Sequence, residues 1–164
     1  MEKICMVGTG YVGLVSSACF ARLGHKVICV DNNKTRIENL DKGIMPIYEK
    51  NLKEIVAEGV EKGNLSFTTS MARGVEESNV IFITVGTPAD KKTGDPDLSF
   101  VFAVAKEIAE NIKQDYKVIV LKSTVPIGTA ESVESIIKKN NPTAKFAVVT
   151  NPELAEKNRK RLVE

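Results

Sequence analysis

The chain has 164 residues, 43% hydrophobic and 27% charged, with a formal net charge of +2. A domain of this size buries roughly 70% of its unfolded surface, enough for a core without disulfides or metal, and the charge is too mild for a dedicated nucleic-acid or membrane-surface protein. No apolar run approaches the ~18 residues of a spanning helix, and Met1-Glu2-Lys3 lacks the features of a secretory leader. In chain order, the first predicted strand covers Lys3 to Val7, followed by a glycine-rich turn and a helix from Leu14 to Leu23. A second strand, Lys26 to Val30, ends in Asp31. Asn51 to Lys62 reads as a helix on Leu52, Ile55 and Val56, and strands are predicted over Leu65 to Thr68 and Val80 to Val85. A turn-rich loop, Gly86 to Pro96, leads to the clearest helix, Ser99 to Lys113. There Phe100, Val104, Ile108 and Ile112 recur every four residues beside Val101, Ala105 and Ala109, giving one apolar face. A strand over Lys117 to Leu121, a helix after Pro126 carrying Val133, Ile136 and Ile137, and a strand over Phe146 to Val149 complete the series.

Most of these strands are unbroken apolar runs, which suits a parallel sheet covered on both faces. Their alternation with helices predicts an α/β fold with a doubly wound, mostly parallel sheet and the first strand near its centre. Cys5, Cys19 and Cys29 form no C-x-x-C pair and lie among apolar neighbours, so all three are expected to pack as small hydrophobes in a reducing, cytoplasmic setting. His25, the single histidine, sits in the turn before the second strand and reads as a surface residue, and no metal site is expected.

The chemistry lies at the first turn. Gly8-Thr9-Gly10-Tyr11-Val12-Gly13 follows a strand and opens a helix, and Asp31 ends the next strand 18 residues beyond Gly13. That context is what a dinucleotide-binding fingerprint of the Rossmann type requires. Gly8 serves the tight turn, Gly10 lets a pyrophosphate approach the backbone, and Gly13 lets the helix pack closely, while the helix N-terminus offers N–H groups to phosphate. Asp31 can accept from the ribose hydroxyls of an adenosine and oppose a 2′-phosphate, which predicts NAD over NADP. Arg36 is a guanidinium that could welcome that phosphate. Asp31 could instead merely cap the following segment.

Four further segments join GTGYVGLV (Gly8 to Val15): PIYEKNL (Pro46 to Leu52), VGTP (Val85 to Pro88), STVPIGT (Ser123 to Thr129) and NPEL (Asn151 to Leu154). With these in order, the chain resembles the nucleotide-sugar 6-dehydrogenases, and Val15 is similar to the branch acting on UDP-glucose. The resemblance implies oxidation of a sugar C6 alcohol to a carboxylate with two NAD, through a thioester on a cysteine. By the same resemblance, Tyr11, Val12, Asp31, Arg36 and Thr87 would join the glycines in the NAD site. Thr124 would lie on the nicotinamide side and help hold a catalytic water, with Glu153 beside that water. Thr124 and Glu153 also suit a plain helix start.

Three departures stand out. Lys50-Asn51 occupy places where the family has proline and glycine. Leu154-Ala155-Glu156-Lys157-Asn158 replace a segment that would touch the sugar. The chain stops at Glu164, whereas the family continues into a second domain that supplies the nucleophilic cysteine, a lysine and most of the UDP pocket. The expected organisation is an NAD-binding domain over residues 1–154 and a charged tail over 155–164. Expected partners are NAD, a UDP-sugar in the longer protein and a second copy of the chain, without full activity from this portion alone. A stand-alone NAD-binding module and a domain of another NAD-linked sugar or hydroxyacid dehydrogenase are the alternatives.

Overall fold

The computed structural model describes residues 1–90 and 94–152. In chain order the elements are β1 (Lys3–Val7), α1 (Tyr11–Arg22), β2 (Lys26–Val30), α2 (Lys34–Asp41), α3 (Leu52–Glu61), β3 (Leu65–Thr68), α4 (Met71–Glu76), β4 (Val80–Ile83), α5 (Ser99–Asn111), β5 (Lys117–Leu121), α6 (Thr129–Asn140) and β6 (Phe146–Thr150). The strands form one parallel sheet in the order β3-β2-β1-β4-β5-β6. The chain winds outward from β1 through β2 to β3, then returns to the other side of β1 as β4. The carboxyl ends of β1 and β4 therefore diverge into the crevice where open parallel sheets bind ligands.

Within each apolar strand, alternate residues serve opposite cores. Ile4, Met6, Val27 and Cys29 pack with Leu14, Ala18, Ile37, Leu40, Leu52 and Val56, on the face covered by α1, α2 and α3. Cys5, Val7, Ile28 and Val30 pack with Val75, Val101, Ile108, Val133 and Ile137, on the face covered by α4, α5 and α6. Cys5 and Cys29, on neighbouring strands, thus lie in separate cores and are free thiols. Burial pushes the Cys29 thiol up to about 12: a hydrogen bond from Ser17 opposes the shift and the Asp31 charge adds to it. Burial also pushes Cys5 upward.

Cys19 departs from expectation, because it is exposed. The buried positions of α1 are Gly13, Leu14, Ser17, Ala18 and Ala21. Cys19 is turned about 100° from Ala18 around the helix, so apolar neighbours in sequence are not neighbours in space. His25 lies in its turn half-buried, accepting at Nδ1 from the Glu2 N–H at 3.1 Å.

Two short helices, α2 and α4, lie outside the elements expected from sequence. Each starts on a side-chain cap: Asn33 accepts from the Arg36 N–H at 3.0 Å, and Ser70 from the Arg73 N–H at 3.2 Å. At 8 residues α2 is too short to be stable alone. Ile37 and Leu40 are buried beneath it, each contributing roughly 1.5–3 kcal/mol. α4 lies close on the sheet because of Gly74, where a Cβ would fall 2.5 Å from Val30 Cγ2 and 2.8 Å from Cys5 Sγ. Strand β4 ends at Ile83, two residues earlier than expected, and Val85 is half-buried beyond it. The altered turn before α3 is explained by Asn51, whose φ of 63° is left-handed. Asparagine is among the few non-glycine residues tolerated there, so it substitutes for the family's glycine.

Candidate functional site

The site grows from the end of β1. Gly8 has φ +105° and donates its N–H to the Val30 carbonyl at 2.8 Å, extending the β1–β2 ladder into the turn. The Thr84 hydroxyl, one residue past β4, reaches the carbonyls of Val7 at 2.8 Å and Gly8 at 2.9 Å. Gly13 closes the turn from behind. A Cβ there would lie 2.0 Å from the Gly8 carbonyl oxygen and 2.6 Å from Thr84 Oγ1, so only glycine lets α1 sit this close.

Gly10 is the opposite case. Its backbone is extended, and a Cβ built on it would meet nothing within 4 Å. It caps α1 without a side-chain hydrogen bond, so the first N–H groups of a 12-residue helix stand at the turn beside open space. That geometry admits an anionic group against the backbone.

Asp31, at the end of β2, is 7% exposed and accepts hydrogen bonds on both oxygens. Oδ2 accepts from the Thr9 N–H at 2.9 Å, the Thr9 hydroxyl at 2.6 Å and Arg36 Nη1 at 3.0 Å. Oδ1 accepts from the Asn33 N–H at 2.9 Å. Burial works against its charge, but the bonds from Thr9, Asn33 and Arg36 outweigh it and hold the carboxyl below the usual aspartate range. Each carboxylate oxygen offers about two lone-pair positions, and Oδ1 holds one bond where Oδ2 holds three. The remaining capacity is therefore on Oδ1, and Arg36 is held against Oδ2.

These groups border a cleft of about 470 Å³. Gly8, Thr9 and Gly10 form one wall, Asp31, Asn32 and Arg36 the next, and Val7, Val30 and Thr84 contribute from the sheet. Thr69 and Met71, with Phe100, Ala103, Val104 and Glu107 of α5, supply the rest. Phe100, expected in the core, is 54% exposed on this wall. It stands at the first turn of α5, where the cleft rather than another helix faces it.

Of the residues singled out in sequence, Gly8, Gly10, Asp31 and Arg36 meet at this cleft, with Gly13 packed behind it. Tyr11 and Val12 form the first turn of α1 without lining the cleft, and the Tyr11 hydroxyl donates to Glu49 Oε2 at 2.7 Å. Thr87 and Thr124 come together at the ends of β4 and β5, where the Thr87 hydroxyl donates to the Thr124 carbonyl at 3.1 Å. Gly86 and Pro88, flanking Thr87, reach the cleft. Glu153 and the tail over 155–164 lie outside the described residues. Thr9 and Thr84 are structural partners of the site that motif reading passed over. The one available signal was a hydroxyl residue inside or directly after a strand end.

A glycine turn feeding an uncapped helix N-terminus, an oriented acid on the adjacent strand and a cleft at the sheet's switch point together define a dinucleotide-binding domain. The sequence places it further: the chain belongs to the UDP-glucose/GDP-mannose dehydrogenase family, whose NAD binding domain matches residues 2–161. It is 51% identical to a UDP-glucose 6-dehydrogenase of Rhizobium meliloti over 92% of this chain and 34% of that protein. It is 47% identical to the UDP-glucose 6-dehydrogenase TuaD of Bacillus subtilis, over 93% of this chain and 33% of that one. Among solved structures, a UDP-glucose dehydrogenase from Pyrobaculum islandicum superposes with TM-score 0.90 at 37% identity, covering 95% of this chain and 37% of the other. A GDP-mannose dehydrogenase from Pseudomonas aeruginosa gives 0.89 at 38% identity, covering 94% and 36%. The chain thus spans about a third of the length of these relatives, and it is the NAD-binding domain of that family. No helix among the described residues is long and apolar enough to cross a membrane.

Proposed function

We propose that this chain supplies the cofactor site of a UDP-glucose 6-dehydrogenase, with the pyrophosphate on the Gly8–Gly10 turn and the adenosine ribose at Asp31. The observation that carries the reading is the pairing of an open Gly10 with a carboxylate whose position is fixed by Thr9, Asn33 and Arg36. When bound, NAD is the hydride acceptor for alcohol oxidation. The chain's own residues position it: the α1 N-terminus faces the phosphates, Gly13 and Thr84 keep the turn rigid, and Asp31 orients the ribose. Tyr11 and Val12 extend the backbone N–H surface, and Thr87, Thr124 and Glu153 serve the nicotinamide side. UDP-glucose, rather than another nucleotide sugar, is supported by Val15 and by the names of the relatives.

The complete oxidation needs more than this portion. Cys5 and Cys29 are buried with raised pKa values, the reverse of what a thiolate nucleophile requires. Cys19 lies about 12 Å down α1 from the turn. We take residues 1–154 as the NAD-binding domain, acting in the cytoplasm, where the three unpaired thiols persist. Exposed Ile127 and Val149 support self-association; a monomeric mass by light scattering at high concentration would rule that out.

The binding test is a calorimetric titration with NAD and, separately, NADP. NAD is expected to bind at one site and more tightly. Replacing Asp31 with Ala should weaken NAD about 10- to 100-fold, the scale of a lost hydrogen bond to a charged group, and free Arg36 to accept a 2′-phosphate. An unmoved NAD to NADP ratio would remove the ribose assignment.

A further inference from the structure

We infer that Glu107 selects the adenine end of the dinucleotide by accepting a hydrogen bond from its exocyclic amino group, an inference that rests on the NAD reading above. Phe100, Ala103, Val104 and Glu107 follow an i, i+3, i+4, i+7 spacing, so one stripe of α5 faces the cleft while Val101, Ala105, Ile108 and Ala109 face the core. With the pyrophosphate at Gly8–Gly10 and the ribose at Asp31, the base is left the part of the cleft lined by Met71 and this stripe. That lining suits a flat ring, since it offers a thioether, an exposed aromatic, an alanine and a valine.

Asn32 and Thr69 also line the cleft, and the two carboxylates that face it among the described residues are Asp31 and Glu107. Asp31 already accepts from Thr9, Asn33 and Arg36, and its remaining capacity on Oδ1 is assigned to the ribose. On α5 the neighbouring Lys106 is paired with Glu110 at 3.9 Å, whereas Glu107 is in no ion pair among the described residues. Its helical neighbours at three and four residues' distance are Val104, Glu110, Ala103 and Asn111, and none is a cation. An ionised carboxylate only accepts. It therefore favours a 6-amino purine, whose N6 group donates, over a 6-oxo purine, whose oxygen would face it.

The test is calorimetric titration of the full chain with NAD and with nicotinamide hypoxanthine dinucleotide, its 6-oxo analogue. Unaltered protein should bind NAD about tenfold more tightly, the scale of one charge-assisted hydrogen bond at an accessible site. Glu107→Gln, whose amide can donate to the 6-oxo group, should bring the two affinities together, and Glu107→Ala should do the same by weakening NAD alone. Phe100→Ala should weaken both ligands alike, because a stacking wall does not distinguish the 6-substituent. Equal affinities in the unaltered protein, or a preference that survives in both Glu107 variants, would overturn the assignment and leave the dinucleotide reading intact. Binding of neither ligand would overturn both.

Discussion

The two ends of the candidate site differ in how firmly they are made. Around β1 and β2, Thr9 is fully buried and Asp31 7% exposed, and the bonds between them are supplemented by Asn33, Arg36 and Thr84. Around β4 and β5, the half-buried Thr87 meets the exposed Thr124 at the rim of the sheet. Burial explains the contrast: a polar group removed from water must find protein partners, whereas a rim hydroxyl can be satisfied by solvent. The end assigned to the adenosine thus has its polar groups tied to protein partners in the absence of any ligand.

The sharpest way to break this contrast is Gly13→Ala. Its methyl would overlap the Gly8 carbonyl, so a loss at or above the usual range of about 1–3 kcal/mol is expected for overpacking against backbone. Chemical denaturation measures it, and an unchanged midpoint would mean that α1 can retreat. Gly10→Val separates fold from ligand: stability should change by less than about 1 kcal/mol, while NAD affinity falls at least ~100-fold by calorimetry. Normal affinity would remove the phosphate from this turn.

Asp31→Asn tests the electrostatic part. The native pKa lies below the unfolded value, near about 3.9. The stabilisation from the charged form is therefore present above that value and lost as pH falls through the lower native one. The variant should be less stable than the parent by about 1–2 kcal/mol at pH 7, with the gap closing in strong acid. A gap independent of pH would mean that packing, not charge, sets the role of Asp31. The smallest effect is expected at the rim, where Thr87→Val removes an exposed hydrogen bond and should cost under about 1 kcal/mol in thermal unfolding. A larger loss would show that this end is as firmly built as the other.

Much of this molecule was legible from local pattern. The unbroken apolar runs marked six parallel strands, and the spacing of Gly8, Gly10, Gly13 and Asp31 marked the turn, because each of those roles depends on backbone conformation within one βαβ unit. The short helices α2 and α4 carry little apolar sequence to mark them, and their caps, Asn33 and Ser70, are their main local sign.

Other features were decided only in three dimensions. Periodicity assigned Phe100 to the core and apolar neighbours did the same for Cys19, but which side of a helix meets the sheet depends on how that helix is docked. The bonds from Thr9 and Arg36 to Asp31, and from Thr84 to the glycine turn, join residues that parallel pairing brings together. Sequence alone determined the fold class and the presence of a dinucleotide turn, since both follow from short-range steric and apolar patterning. Tertiary structure alone decided which carboxylate is already paired with a guanidinium and which, at Glu107, faces the cleft with no ion pair among the described residues.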